Sequence, residues 1–300
     1  MPSSNVAIID LGSNTFHLLI CQVSKGSFTE VYRKRLFIGL AEGGIELIND
    51  QALYRAREGF SDFRQILLEY DISKTKIIGT AALRSASNAS LVNHMAEEIL
   101  GQPIEIIAGE REAELIYKGV SLITDTSINH HLIMDIGGGS TEFILISNGK
   151  RTWSQSFNIG VAVLHELFHK SEPIANEDIG RMEQFLDHTL QPLHKTVSGK
   201  DVTNLIGASG SFEVVVTMND GKLSSNTVHS YDPKDFELFE EKVISATYED
   251  RALLKGMPQS RVKLIVVAFI LMRYVLRLTK PKQILVSPYA LKEGVIVEMM

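Results

Sequence analysis

Residues 6–9 and 132–134 are uninterrupted apolar runs of strand length, and each runs into an Asp followed by residues small enough for a tight turn. The segments after each turn predict two further strands, over 15–23 and 28–38 in the first half and over 141–146 and 151–157 in the second. Both halves therefore open β-β-β. Apolar residues at helical spacing then predict a helix over 51–69, with Leu53, Ala56, Phe60, Phe63 and Leu67 on one face. A strand at 76–79, a helix over 89–100, a strand at 104–107 and a helix from 110 to about 122 complete a β-β-β-α-β-α-β-α order. The second half predicts helices near 161–168 and over 176–195, a strand at 204–206 and a helical stretch over 235–255. A long helix over 259–278, a strand at 283–286 and a helix over 290–298 follow. Apart from inserted helices, the first order recurs. The polar stretch 125–129 marks a boundary, giving two α/β lobes, 1–125 and 126–300, with a cleft between them.

The turns that close the two apolar runs carry the first chemistry. They read Asp10-Leu-Gly-Ser-Asn-Thr15 and Asp135-Ile-Gly-Gly-Gly-Ser-Thr-Glu142. The backbone N–H groups of Gly12, Ser13, Asn14 and Thr15, and those of Gly137, Gly138, Gly139, Ser140 and Thr141, can cradle phosphate oxygens. Asp10 and Asp135, at the strand tips, can hold a divalent cation that neutralises them. An ordinary hairpin turn has the same composition, and the recurrence of the whole β-β-β context is what sets these two apart. A third stretch, Gly207-Ala-Ser209-Gly210-Ser211, ends a strand and precedes a helix, so its amides can also face an anion.

Composition narrows the partners. The chain has 300 residues, 44% of them apolar, enough for two buried cores. A net charge of −6 argues against a DNA- or RNA-binding surface, and any anion site has to be built locally. Lys195, Lys200, Lys222, Arg261 and Lys263 are scattered, as solvated surface cations are, and predict no basic track. The one cysteine, Cys21, falls in a predicted strand, which reads as a buried thiol in a reducing cytoplasm. The N-terminus lacks an export pattern. The most apolar segment, 264–272, is flanked by Arg261, Lys263, Arg273 and Arg277 and falls short of the ~20 residues that span a bilayer, so it predicts a buried helix and no membrane anchor.

Taken in order, the two Asp turns, Gly79-Thr-Ala-Ala-Leu-Arg84-Ser-Ala-Ser-Asn88, Gly109-Glu-Arg-Glu-Ala113 with Gly119-Val120, and Ile159-Gly-Val161 resemble the motifs of the Ppx/GppA family. These are the exopolyphosphatases and guanosine pentaphosphate phosphohydrolases of the actin, sugar-kinase and Hsp70 ATPase superfamily. The resemblance runs from Asp10 to about Gly294. It implies two actin-like (ribonuclease H-like) lobes, each a mixed sheet, and hydrolysis of the terminal phosphate of polyphosphate, with guanosine pentaphosphate as the close alternative and a homodimer as the assembly. It also implies that Glu112 is the base that activates water, that Arg84 holds phosphate, and that Asp10, Asp135 and Glu142 hold Mg²⁺, or Mn²⁺ in its place. On its own, Glu112 reads as a carboxylate favoured by a helix N-terminus. Four residues depart from the family pattern: His17 and Lys292 stand where Arg is usual, and Ser209 and Ser211 where Gly-Thr-Gly-Gly-Thr is. They put the far substrate end in question.

Rival readings exist. His165-Glu-Leu-Phe-His169 matches the H-E-x-x-H zinc pattern, with Glu183 or His188 as third ligand. A kinase would share the lobes but need an acceptor pocket, and a phosphate or nucleotide sensor would share the scaffold without the base. His130 and His131, in the presumed linker, read as solvated loop residues.

Overall fold

In the computed structural model, β1 (Ser4–Leu11) and β2 (Thr15–Ser24), each with an apolar run buried on both faces, and the more exposed, alternating β3 (Ser27–Phe37) form an antiparallel meander. Then come α1 (Asp50–Glu69), β4 (Ile72–Gly79), α2 (Ala81–Ser85), α3 (Ala89–Leu100), β5 (Glu105–Ile106) and α4 (Gly109–Val120). The second lobe opens with the meander β6 (His130–Ile136), β7 (Thr141–Ser147) and β8 (Lys150–Phe157). It continues with α5 (Val161–Phe168), α6 (Asn176–Thr189), α7 (Gln191–Val197), β9 (Val202–Gly207), α8 (Gly210–Asp220) and β10 (His229–Tyr231). The chain closes with α9 (Pro233–Ile244), α10 (Tyr248–Leu253), α11 (Ile265–Thr279), β11 (Gln283–Val286) and α12 (Leu291–Met299). The structure describes residues 4–208, 210–221, 224 and 226–300; Ser209 and Lys222, both singled out above, lie outside them.

The sheet orders are β3-β2-β1-β4-β5 and β10-β11-β9-β6-β7-β8. Without the short edge strand β10, the second repeats the first strand for strand, with β4 parallel to β1 as β9 is to β6. The α/β class and the repeated mixed sheet expected from the sequence are both present. Two expected helices are broken. The 176–195 pattern divides after Thr189 because Pro192, with no N–H to give, begins a new helix. The 235–255 pattern divides before α10, where the Thr247 hydroxyl caps the N–H of Asp250. At five and three residues, α2 and β10 are too short to show a period. Among the described residues no helix is long and apolar enough to cross a membrane, and α11 is buried in the second lobe's core.

Three cores result, and the third joins the lobes. In it Val6 and Ile8 of β1 and Ile133 of β6 meet Ala113, Ile116 and Val120 of α4 and Val295 and Ile296 of α12. The last helix thus lies on α4 and β1 of the first lobe. The two helices touch backbone to backbone: a Cβ on Gly119 would lie 1.9 Å from the carbonyl oxygen of Ala290, and one on Gly294 would lie 1.9 Å from that of Leu115.

The second lobe also encloses Arg251, 0% exposed, whose Nε donates to the Val262 carbonyl (3.1 Å), whose Nη1 donates to the Ala246 carbonyl (2.6 Å), and whose fork holds Glu172 at 2.9 and 2.8 Å. Arg251→Met would leave two carbonyls and a carboxylate without their donor, and should cost about 3 kcal/mol in urea unfolding. An unchanged unfolding midpoint would refute that.

Candidate active site

The two Asp turns fold alike. Gly12 donates its N–H to the Thr15 carbonyl at 3.0 Å, and Gly137 donates to that of Ser140 at 2.9 Å. The first turn is pinned from outside: the Ser13 hydroxyl accepts from the Ala82 N–H (3.1 Å), and the Asn14 carbonyl accepts from Ile38 and Gly39 (2.9 Å each). The second is held by the start of α5, since the N–H groups of Gly160, Val161 and Ala162 reach the carbonyls of Gly139, Gly137 and Gly138 at 3.2, 3.0 and 2.9 Å. The turns meet across the cleft. A Cβ on Gly138 would come within 2.8 Å of the Asn14 amide, and one on Gly139 within 2.8 Å of the Ser13 hydroxyl.

Between them lies a cavity of about 130 Å³, reached by both turns and by Asp10, Glu112, Asp135 and Glu142. Burial dominates the chemistry of these four. It raises the Asp10 carboxyl, against the pull of Lys292, whose Nζ is 3.9 Å from Oδ2. It holds Asp135 well above the usual carboxylate range, helped by the charge of Glu112. Glu142 is pushed up to about 7 by burial and then by Asp135, while Ser156 donates a hydrogen bond to it at 2.6 Å. Glu112, in the first turn of α4 and 7% exposed, is held well above its usual value by burial and by Glu142, with Arg84 opposing. Four carboxyl groups sharing one cavity suit a divalent cation or bound protons. Their hard oxygens fit Mg²⁺, which needs one or two carboxylates and completes its shell with water and phosphate oxygens. Among the described residues no three His, Cys, Asp or Glu side chains are gathered as a ready metal cage.

Arg84 stands apart from its expected place on phosphate. It does not line the cavity; its Nη1 donates to Glu112 Oε2 at 2.6 Å and to the Ile107 carbonyl at 2.9 Å, so it fixes Glu112. The cations that do line the cavity are Arg33, Arg35, Arg261 and Lys292. Arg33 binds Glu30 and Glu293 at 2.8 and 2.9 Å. Arg35 grips Glu213 of the other lobe with both prongs, at 3.0 and 3.1 Å. Arg261 lies against the backbone of Gly210, where a Cβ would sit 1.8 Å from its Nη2, and burial followed by repulsion from Arg35 lowers it to about 10. The expectation of scattered surface charge is therefore corrected for Arg261, which the fold turns inward. His17 is bonded to the Thr15 hydroxyl at 2.8 Å, and burial and then Lys292, Arg35, Arg261 and Arg33 push it well below its usual value. A neutral ring thus occupies a place already crowded with positive charge.

Gly210 reaches the cavity, but Gly207 packs on the Phe212 ring, 2.0 Å from where a Cβ would stand. Ser211 is buried. The zinc pattern does not assemble. His169 lies 3.3 Å from Glu172, whose carboxylate is taken by Arg251, and Glu183 is held by Arg273 and Arg277 at 2.9 and 3.2 Å. His130 and His131 are strand residues of β6, not loop residues; His131 is buried, with its Nε2 2.7 Å from the Ile128 carbonyl, because both faces of β6 are covered from this residue on.

Known proteins share this architecture. A crystal structure of an exopolyphosphatase from Cytophaga hutchinsonii superposes with a TM-score of 0.93 at 34% identity, covering 99% of this chain and 97% of that one. A structure of a PPX-GPPA enzyme from Aquifex aeolicus has the same fold, with a TM-score of 0.80 at 22% identity over 99% of this chain and 100% of that one. Guanosine-5'-triphosphate,3'-diphosphate pyrophosphatases are also similar: that of Pseudoalteromonas translucida is 33% identical over 71% of this chain and 44% of its own length, and that of Vibrio vulnificus 28% identical over 98% and 59%. The chain thus spans about half the length of those two relatives. The model of the Ppx/GppA phosphatase family matches residues 19–300. Doubled turns, doubled sheets and a match over nearly the whole chain agree, and the chain belongs to the Ppx/GppA phosphatase family of phosphoanhydride hydrolases.

Proposed function

We propose that this protein releases the terminal orthophosphate of inorganic polyphosphate by Mg²⁺-dependent hydrolysis, with Glu112 as general base. The observation that carries the proposal is Glu112 itself. It is buried, tied through Oε2 to Arg84, and shares one cavity with two glycine turns and the strand-tip carboxylates. A carboxylate whose affinity for protons is raised by burial suits a base that takes a proton from water at neutral pH.

The amides of the two turns hold the terminal phosphoryl group. Asp10, Asp135 and Glu142 would hold Mg²⁺, which supplies charge neutralisation on the phosphate oxygens when bound. Glu112 orients a water in line with the scissile bond and accepts its proton as the new P–O bond forms. The bond to the next phosphate breaks, and the negative charge left there is met by Arg33, Arg35, Arg261 and Lys292. Arg84 acts as a positioning residue, holding one carboxylate oxygen so that the other faces the water.

The test is phosphate release by the purified protein from long polyphosphate, tripolyphosphate, guanosine 5'-triphosphate 3'-diphosphate and ATP. Release should need no acceptor other than water, cease with EDTA and return with Mg²⁺, with long polyphosphate giving the highest kcat/KM. Transfer that depends on an added acceptor would make the protein a kinase. No release, by a folded protein with Mg²⁺ bound, would make it a sensor.

A further inference from the structure

The cavity that gathers the cations also contains an acid that neither the water nor the metal needs. Glu213 lines it from α8. Its neighbours in that helix, Phe212, Val214, Val215 and Val216, are buried in the second lobe's core. Glu213 instead crosses the cleft to Arg35 of β3 and accepts from both prongs of its fork, at 3.0 and 3.1 Å. Among the described residues Arg35 has no other ion-pair partner. Burial raises the other carboxyl groups of the cavity. It acts on Glu213 too, but Arg35, then Arg261 and Lys292, outweigh it and hold this carboxyl below its usual value. A permanent negative charge thus stands inside a site whose other charges on that side are positive.

The pair differs from the other link of β3 to the second lobe, Arg33 with Glu293. The Glu293 side chain is 0% exposed and belongs to α12, which is packed on the first lobe, so that link is part of the core. Arg35 and Glu213 have side chains 40% and 23% exposed, open to solvent and to a ligand. As a strut, an ion pair so exposed adds little. As a competitor it matters, because the planar fork that fits a carboxylate fits two phosphate oxygens equally well. The same two prongs cannot hold both. Any anion that takes Arg35 must first displace Glu213, and its apparent affinity falls by the fraction of time the fork is free. We propose that Glu213 is a resident competitor of substrate phosphate on Arg35, and that it sets KM by occupying the fork until substrate displaces it. This inference rests on the hydrolase reading above and deepens it.

The experiment measures KM for tripolyphosphate, with Mg²⁺, in the parent, Glu213→Gln, Arg35→Gln and the double variant. Glu213→Gln keeps the shape of the side chain and should lower KM about tenfold, the effect of a fork that is free about a tenth of the time. The same change made in Arg35→Gln should leave KM where Arg35→Gln alone has put it, because no fork remains to compete for. An unchanged or higher KM for Glu213→Gln overturns the proposal. A fall of equal size in both backgrounds also overturns it, by reducing Glu213 to a charge that repels anions with or without Arg35. If the parent releases no phosphate, the hydrolase reading fails separately, and calorimetry of tripolyphosphate binding by the same four proteins decides. Binding about tenfold tighter in Glu213→Gln, and only where Arg35 is present, supports the competitor; any other pattern overturns it.

Discussion

Glu112→Gln is expected to lower kcat for phosphate release by about two orders of magnitude or more, with the unfolding temperature held near that of the parent. Glutamine keeps the shape of the side chain and still offers an oxygen to Arg84, which retains its bond to the Ile107 carbonyl. What it cannot do is take a proton. The fold should tolerate the change because Glu112 is one of four buried carboxyl groups that repel one another, so its neutral replacement relieves as much as it removes. The measurement is single-substrate kinetics beside a thermal melt. Near-normal turnover would show that another group activates the water, and a collapsed melt would show that Glu112 is structural.

The second large effect should come from Gly119→Ala. By helix propensity alone this substitution stabilises, by about 1 kcal/mol. Here the new methyl carbon would stand 1.9 Å from the Ala290 carbonyl oxygen, where ordinary contact begins at 3.4 Å. The helices α4 and α12 must then move apart by more than an ångström, and overpacking of that kind costs ~1–3 kcal/mol or more. We expect the steric term to win, lowering the unfolding temperature by about 2–4 °C for each kcal/mol lost. Glu112 rides on α4, so kcat should fall further than KM rises. A melt at or above the parent temperature would mean that the crossing is looser than drawn.

Residues 6–9 and 132–134 made both strand tips legible, because an apolar run ending in Asp and small residues has few other uses. The repeated element order was legible in the same way, and the order of strands within each sheet came only with the structure. Local sequence could not show that Arg33 and Arg35 of β3, Arg261 ahead of α11 and Lys292 of α12 would converge on one cavity, since they approach only when the chain folds. One signal was present: Arg33 and Arg35 alternate on a strand that pairs with the strand leaving the first turn, so both point to one face. Arg84 was legible as a residue that matters but not as the partner of Glu112, which lies 28 positions away. The burial of His131 was hidden by the polar neighbours that made its segment look like a linker.

The return of α12 to the first lobe sets an order on the making of the protein. Ala113, Ile116 and Val120 are covered by Leu291, Val295 and Ile296, which leave the ribosome long after α4 does. At ~5–20 residues per second the intervening chain takes on the order of ten seconds or more to make. Throughout that interval the first lobe can form its own sheet and still present a bare apolar helix beside Glu112. A holding chaperone would find its target there, on the half made first, and loss of the last helical turn would leave that half unfinished rather than the half to which the turn belongs in sequence.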